Sequence, residues 1–163
     1  MIRAARIDSD LYEEVEHDKS ATGQAAIVVV GTSIAAGIGS AFAGSNASII
    51  VLPIAALISW AVFAWLTFFI GTRLLAGPDT KADWGELART LGFANTPRAL
   101  LLFGVVPLAA AILGVIVAVW VLIATVVAVR AALDFSTGRA IATVILGWLV
   151  QVAIIAVAIG LLA

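Results

Sequence analysis

In the stretch NTPRALLLF, residues 95–103, Asn95, Thr96 and Arg98 put an amide, a hydroxyl and a guanidinium at the mouth of an apolar run. Those groups together can hold an anion: a planar, permanently charged fork with neutral hydrogen-bonding neighbours. Glu86 and Arg89 lie one or two helical turns before it, and the segment LDFSTGR adds Asp134 and Arg139. Two readings stay open. Arg98 either binds an anion, such as a lipid head group, or pairs internally with Glu86, Asp134 or an N-terminal carboxylate to hold a bundle together. In the same way, Asp134 either joins a charge network with Arg130, Arg139, Arg98 or Arg89, or serves in an ordinary capped loop.

The remaining reactive groups do not assemble a catalytic centre. There is no cysteine, hence no thiolate nucleophile or ligand. The one histidine, His17, sits in EEVEHDK, which reads as a solvated acidic face rather than a metal site. Ser33, Ser136 and Thr137 have no base at recognisable spacing, and the glycines of GTRLLAG and TLGF lack the strand–loop–helix setting of a phosphate loop. We therefore expect a non-enzyme with neither metal nor cofactor.

The elements that must position these residues are membrane helices. Apolar residues make up 63% of the 163, with a mean hydropathy of +1.17, far from the composition of a soluble domain. Nine Lys and Arg against ten Asp and Glu leave no basic field for nucleic acid. Residues 1–21 form an acidic N-terminal segment with no signal-peptide pattern. Within it DLYEEVEHD predicts a short amphipathic helix, Asp10 as its cap and Glu13 as capping-box partner, lying on the membrane or docked on the bundle.

Residues 22–163 form the membrane domain, with spans expected at 23–43, 48–73, 84–106, 108–129 and 138–162. In the first, Gly31, Ala35, Gly39 and Ala43 fall at four-residue intervals, a small-residue face for close helix packing. A single helix over 100–129 would be about 45 Å long, too long for a hydrocarbon core of about 30 Å. Gly104 and Pro107 divide that run, and the charge bias favours the five-span count: all nine Lys and Arg then fall in cytoplasmic segments or in the inner half of the third crossing. From Pro97 to Val106 there is only about 15 Å of helix, so the third crossing is expected to be broken. Its first half begins near Trp84, with Asp83 and Glu86 at its start, and ANT is the break. Thr22, Thr96 and Thr137, each followed by Gly or Pro, are read as helix caps.

Residues DLYEEVEHDKSATGQA, GTRLLAG, ELARTLGFANTPRALLLFGVVP and RAALDFSTGRAIATVILGWLV, in this order, carry a resemblance to the Ypt-interacting-protein (YIP, Rab-interacting) family in its short bacterial five-span form. The resemblance covers nearly the whole chain. It implies an all-α, five-span bundle in the cytoplasmic (inner) membrane, N-terminus inside and, by the span count, C-terminus outside. It implies no settled activity. The function expected is a membrane organiser that binds lipids or protein partners. The alternative is a small transporter, channel or lipid-moving protein working at the broken third helix as an oligomer. Membrane lipids are the expected partners, with a homo-oligomer and a further membrane or cytoplasmic protein as the other candidates.

Overall fold

The computed structural model describes residues 1–42, 51–77, 80–104 and 106–162. All regular elements among them are helical: α1 (Ile2–Ala5), α2 (Ser9–His17), α3 (Ala21–Phe42), α4 (Val51–Phe69), α5 (Trp84–Ala94), α6 (Pro107–Ala132) and α7 (Thr137–Leu162). A π-helical turn, Ile70–Leu74, extends α4, and a 3-10 helix, Thr96–Phe103, follows α5. Among the described residues four helices are long and apolar enough to cross a membrane: Ala21–Phe42, Val51–Leu74, Ala110–Ala132 and Thr137–Leu161. They display large apolar side chains outward, such as Ile58, Val115 and Ile154, as helices surrounded by lipid do.

The helices close a ring. Going round it, α3 packs on α4, α4 on α7, α7 on α6, α6 on the 3-10 helix, and the 3-10 helix back on α3. The basal end of the ring is where α3 and α7 begin and α4 and α6 finish. There α5 packs against α3, α4 and α6 at once. The indole Nε1 of Trp60 on α4 donates to the Ala88 carbonyl at 2.9 Å, and Trp84 Nε1 returns a bond to Ala61 at 3.4 Å. An indole N–H packed against a neighbouring helix needs a partner, and here the partner is that helix's backbone.

Glycine sets the closest approaches. At Gly92 on α5 an added Cβ would stand 2.6 Å from Ala25 Cβ, and at Gly39 on α3 it would stand 2.0 Å from the Leu101 carbonyl oxygen. The segment after Gly92 thus runs along α3, from the level of Ala25 near its start to Gly39 near its end. Gly31 faces open space, Ala35 is half-buried, and Ala43 lies outside the described residues. Close packing therefore centres on Gly39, not on a continuous four-residue stripe.

The N-terminal segment docks on the bundle, with α2 against α5 and α6. Its cap is Asp8, whose side chain accepts from Leu11 N, and not Asp10. The reason is a sharp reversal at Ile7, held at φ 58°, which separates α1 from α2 and brings Asp8 to the helix start. Tyr12, fully buried, donates to the Ala4 carbonyl, and Trp120 Nε1 donates to the Ala5 carbonyl at 2.7 Å.

The three threonines do not share a capping role. Thr22 Oγ1 donates back to Lys19 O at 3.1 Å and Thr96 Oγ1 back to Phe93 O at 2.6 Å, while Thr137 is the first residue of α7. Thr22 is already the second residue of α3, and Thr96 and Thr137 are the first residues of their helices, so none of the three stands in the position just before a helix where a cap sits.

Candidate functional site: a central cavity and a basal acidic recess

α5 starts with a complete capping box: Asp83 Oδ1 accepts from Glu86 N at 2.9 Å, and Glu86 Oε2 accepts from Asp83 N at 2.8 Å. This fixes the helix entry and commits both carboxylates to backbone amides. Three residues on, Arg89 is 4% exposed yet makes no ion pair among the described residues. Its Nε donates to Val15 O at 3.1 Å, and Nη2 donates to Glu16 O. Arg89 thus clamps the end of α2, where carbonyls lack helical partners and the dipole favours a cation.

After Ala94 the α-helix stops. Asn95 takes the turn and donates Nδ2–H to Leu91 O at 2.8 Å, and Pro97 opens the 3-10 helix. Arg98, an exposed residue, then lines the partly open space between the helices of the ring. That space is a cavity of about 930 Å³, walled by α3, α4, α6, α7, α5 and the 3-10 helix. Its lining is mostly apolar, with Trp60, Phe63, Leu122 and Trp148 among the large side chains. Of the lining residues, Arg98 alone carries a charge.

The polar lining residues are engaged within the protein. Thr32, Ser33 and Thr125 donate to carbonyls of their own helices, at 2.8, 2.7 and 2.7 Å. Gln151 Nε2 donates to both the carbonyl and the hydroxyl oxygen of Ser59, joining α7 to α4 at 3.0 and 2.6 Å. Arg98, among the described residues, makes neither an ion pair nor a side-chain hydrogen bond. None of the three carboxylate partners expected for it takes that place.

A second feature lies at the basal end. Glu13, Glu16, His17, Lys81, Glu86 and Asp134 line a recess of about 410 Å³ between α2, α5 and the α6–α7 loop. The Glu16 side chain is only 12% exposed, and its Oε2 is the one buried side-chain polar atom without a partner among the described residues. Burial, reinforced by Asp134, Glu86 and Glu13 against the opposing pull of His17, raises its carboxyl to about 7. His17 is raised as well, by its bond to the Glu13 carbonyl and by Glu16. Asp134 holds a left-handed conformation, φ 51°, in the loop.

The structure therefore separates the sequence candidates into two groups. Arg98 and Asn95 line the cavity and Thr96 is buried beside them; Glu86 and Asp134 border the recess, and Arg89 clamps α2 next to it. Arg139 sits by Gly77, and among the described residues Asp134 makes no ion pair with Arg130, Arg139, Arg98 or Arg89. The expected charge network is absent there because Asp134 faces Glu16 and Glu86 across the recess. Sequence reasoning passed over Gln151 and Glu16. Gln151 had a signal, as the single strongly polar residue in an otherwise apolar final run.

No group of three or more His, Cys, Asp or Glu among the described residues is arranged to hold a metal ion. Comparisons with curated proteins and with solved structures gave no match. A family model does match: residues 9–159 fit the Yip1 domain, from the N-terminal helix almost to the end of α7. The match takes in α2 and nearly all of every helix that walls the cavity, and the chain belongs to the Yip1 domain family of membrane proteins.

Proposed function

We propose that this chain is a non-enzymatic membrane protein that holds a bilayer lipid inside its helix ring, and that this is how it organises the surrounding membrane or a partner. The observation carrying the reading is the cavity. A volume of about 930 Å³ is at the upper end of the roughly 300–1,000 Å³ typical of ligand pockets. Walls of Trp, Phe and Leu match acyl chains better than any water-soluble substrate. With α5 packed across the basal end against three helices, the geometry favours holding over conduction.

The lipid reading is consistent with five crossings. The distance along α3 from Ala25 to Gly39 is about 21 Å at 1.5 Å per residue, and the segment from Gly92 to Leu101 accompanies it. That supports Trp84–Phe103 as a third crossing, broken at Asn95, between the second and third of the four long apolar helices. Its 3-10 half needs fewer residues to climb a given height, about 2.0 Å each.

Native mass spectrometry of the gently extracted protein tests the reading. The wild type should carry bound lipid, and filling the cavity with Gly114→Phe and Ala118→Phe, both lining positions on α6, should remove most of it. A wild type free of lipid, or a filled variant with undiminished lipid, would overturn the proposal.

A further inference from the structure

The lipid reading can be taken one step further, because the cavity contains one unpaired charge. Arg98 stays protonated at any accessible pH and presents five N–H donors in a fixed fork. A cation inside a membrane bundle is costly unless it faces water, a counter-charge or a ligand. The carboxylates that could have neutralised it are used elsewhere. Glu86 is held by the α5 capping box, Asp8 and Glu14 are bound by Arg3 at 2.7 and 2.8 Å, and Asp134 borders the basal recess. Of the neighbouring donors, one Asn95 amide N–H bonds Leu91 and the Thr96 hydroxyl bonds Phe93.

What remains, among the described residues, is a single cation with no opposing charge in an otherwise uncharged and mostly apolar chamber. A free inorganic anion would gain Arg98 but surrender its hydration to Trp, Phe and Leu walls. An amphiphile satisfies both parts of the site. Arg98 also lies between Gly92, at the level of Ala25, and Leu101, at the level of Gly39. The charge therefore stands within the length of α3 and not beyond its end.

Resting on the lipid reading above, we propose that Arg98 makes the cavity selective for an anionic lipid, whose phosphate lies against the guanidinium inside the ring while its acyl chains follow the apolar walls. The selected class is a phospholipid with net negative charge. A zwitterionic lipid brings its own ammonium, which Arg98 repels.

The test uses the full chain in nanodiscs of equal phosphatidylglycerol and phosphatidylethanolamine, ejected into a native mass spectrometer. Wild type should retain phosphatidylglycerol at a several-fold excess over phosphatidylethanolamine. Arg98→Gln should retain lipid at a ratio near one, and Arg98→Lys, which keeps the charge without the fork, should keep part of the preference. Arg130→Gln, an exposed position on α6, should leave the preference intact. A wild-type ratio near one with lipid still bound, or an Arg98→Gln protein that keeps the excess, would overturn anion selection while leaving the lipid-holding cavity in place. Release of the bound lipid by millimolar inorganic phosphate, dependent on Arg98, would reassign the site to a free anion. A lipid-free wild type would remove both readings together.

Discussion

Arg89 Nε donates to the Val15 carbonyl at 3.1 Å across 74 residues of sequence, and the same guanidinium reaches the Glu16 carbonyl. Beside the apolar packing of α2 on α5 and α6, this side chain supplies the hydrogen bonds that tie α2 to the bundle among the described residues, since the bonds of Tyr12 to Ala4 and of Trp120 to Ala5 secure the preceding segment instead. Arg89→Met keeps most of the aliphatic stem but orphans two buried helix-end carbonyls. The expected cost to docking is about 1–3 kcal/mol, which should raise tryptic cleavage after Lys19 at least about fivefold through local opening. Cleavage at the wild-type rate would show that α2 is held by its apolar contacts alone.

Docking should also respond to pH. Glu16 rises from 4.5 to about 7 when buried beside Glu13, Glu86 and Asp134 with His17 and Lys81 at the rim. Because the docked pKa lies above the free value, the docked state holds its proton more tightly. Its stability is complete below about pH 4.5 and declines as pH rises through about 7. His17, also raised, acts in the same direction, since its charged form is favoured by its bond to the Glu13 carbonyl and by Glu16 and is lost on deprotonation. Hydrogen exchange of residues 9–17 between pH 5 and 8, corrected for intrinsic rates, should show protection falling across neutrality. In Glu16→Gln the decline should flatten; an unchanged slope would mean that another group controls the opening.

Much of this architecture was legible in the chain itself. Long charge-free runs define the four apolar helices, Asp83 with Glu86 announces the start of α5, and Pro97 after Asn95 announces its end. Interactions made through the backbone were not legible. Nothing in the sequence marks Val15 O or Glu16 O as partners of Arg89, because a carbonyl is common to every residue. Asp8 displaced Asp10 as the cap through a left-handed Ile7, a conformation that β-branched residues seldom adopt. The cavity has no motif either. It is the volume left where Ala36, Ala55, Ala56 and Ala118 face inward, and only the assembled ring shows that those positions meet.

Gly39 and Gly31 make a matched pair of tests for the α3 surface. A Cβ at Gly39 would stand 2.0 Å from the Leu101 carbonyl oxygen, and the obstruction is backbone, which cannot rotate aside. Gly39→Ala should therefore force the 3-10 helix away from α3 at a cost of about 1–3 kcal/mol, visible as a lower melting temperature in detergent. A Cβ at Gly31 meets nothing within 4 Å, so Gly31→Ala should leave the melting temperature unchanged or raise it slightly through helix propensity. Equal effects of the two substitutions would show that α3 does not use Gly39 for its contact with Leu101.

The orientation of the ring follows from which charges share its basal end. Arg73, Lys81, Arg130 and Arg139 all stand in or beside the connections there, and α2 docks at the same end through Arg89. Gly71 at the foot of α4 lies against Leu133 beyond α6, which puts both helix ends on one side. By the bias of Lys and Arg toward the cytoplasm, that side should face inward. The segment carrying Leu101 to the level of Gly39 leaves Gly104 toward the opposite face. A reporter inserted near Gly104 should accordingly read outside and one near Asp134 inside. If the Asp134 reporter reads outside while the N-terminus reads inside, the chain crosses only three times before that loop, through α3, α4 and α6, and Trp84–Phe103 does not traverse the membrane. In that case the Gly104 reporter should read inside as well.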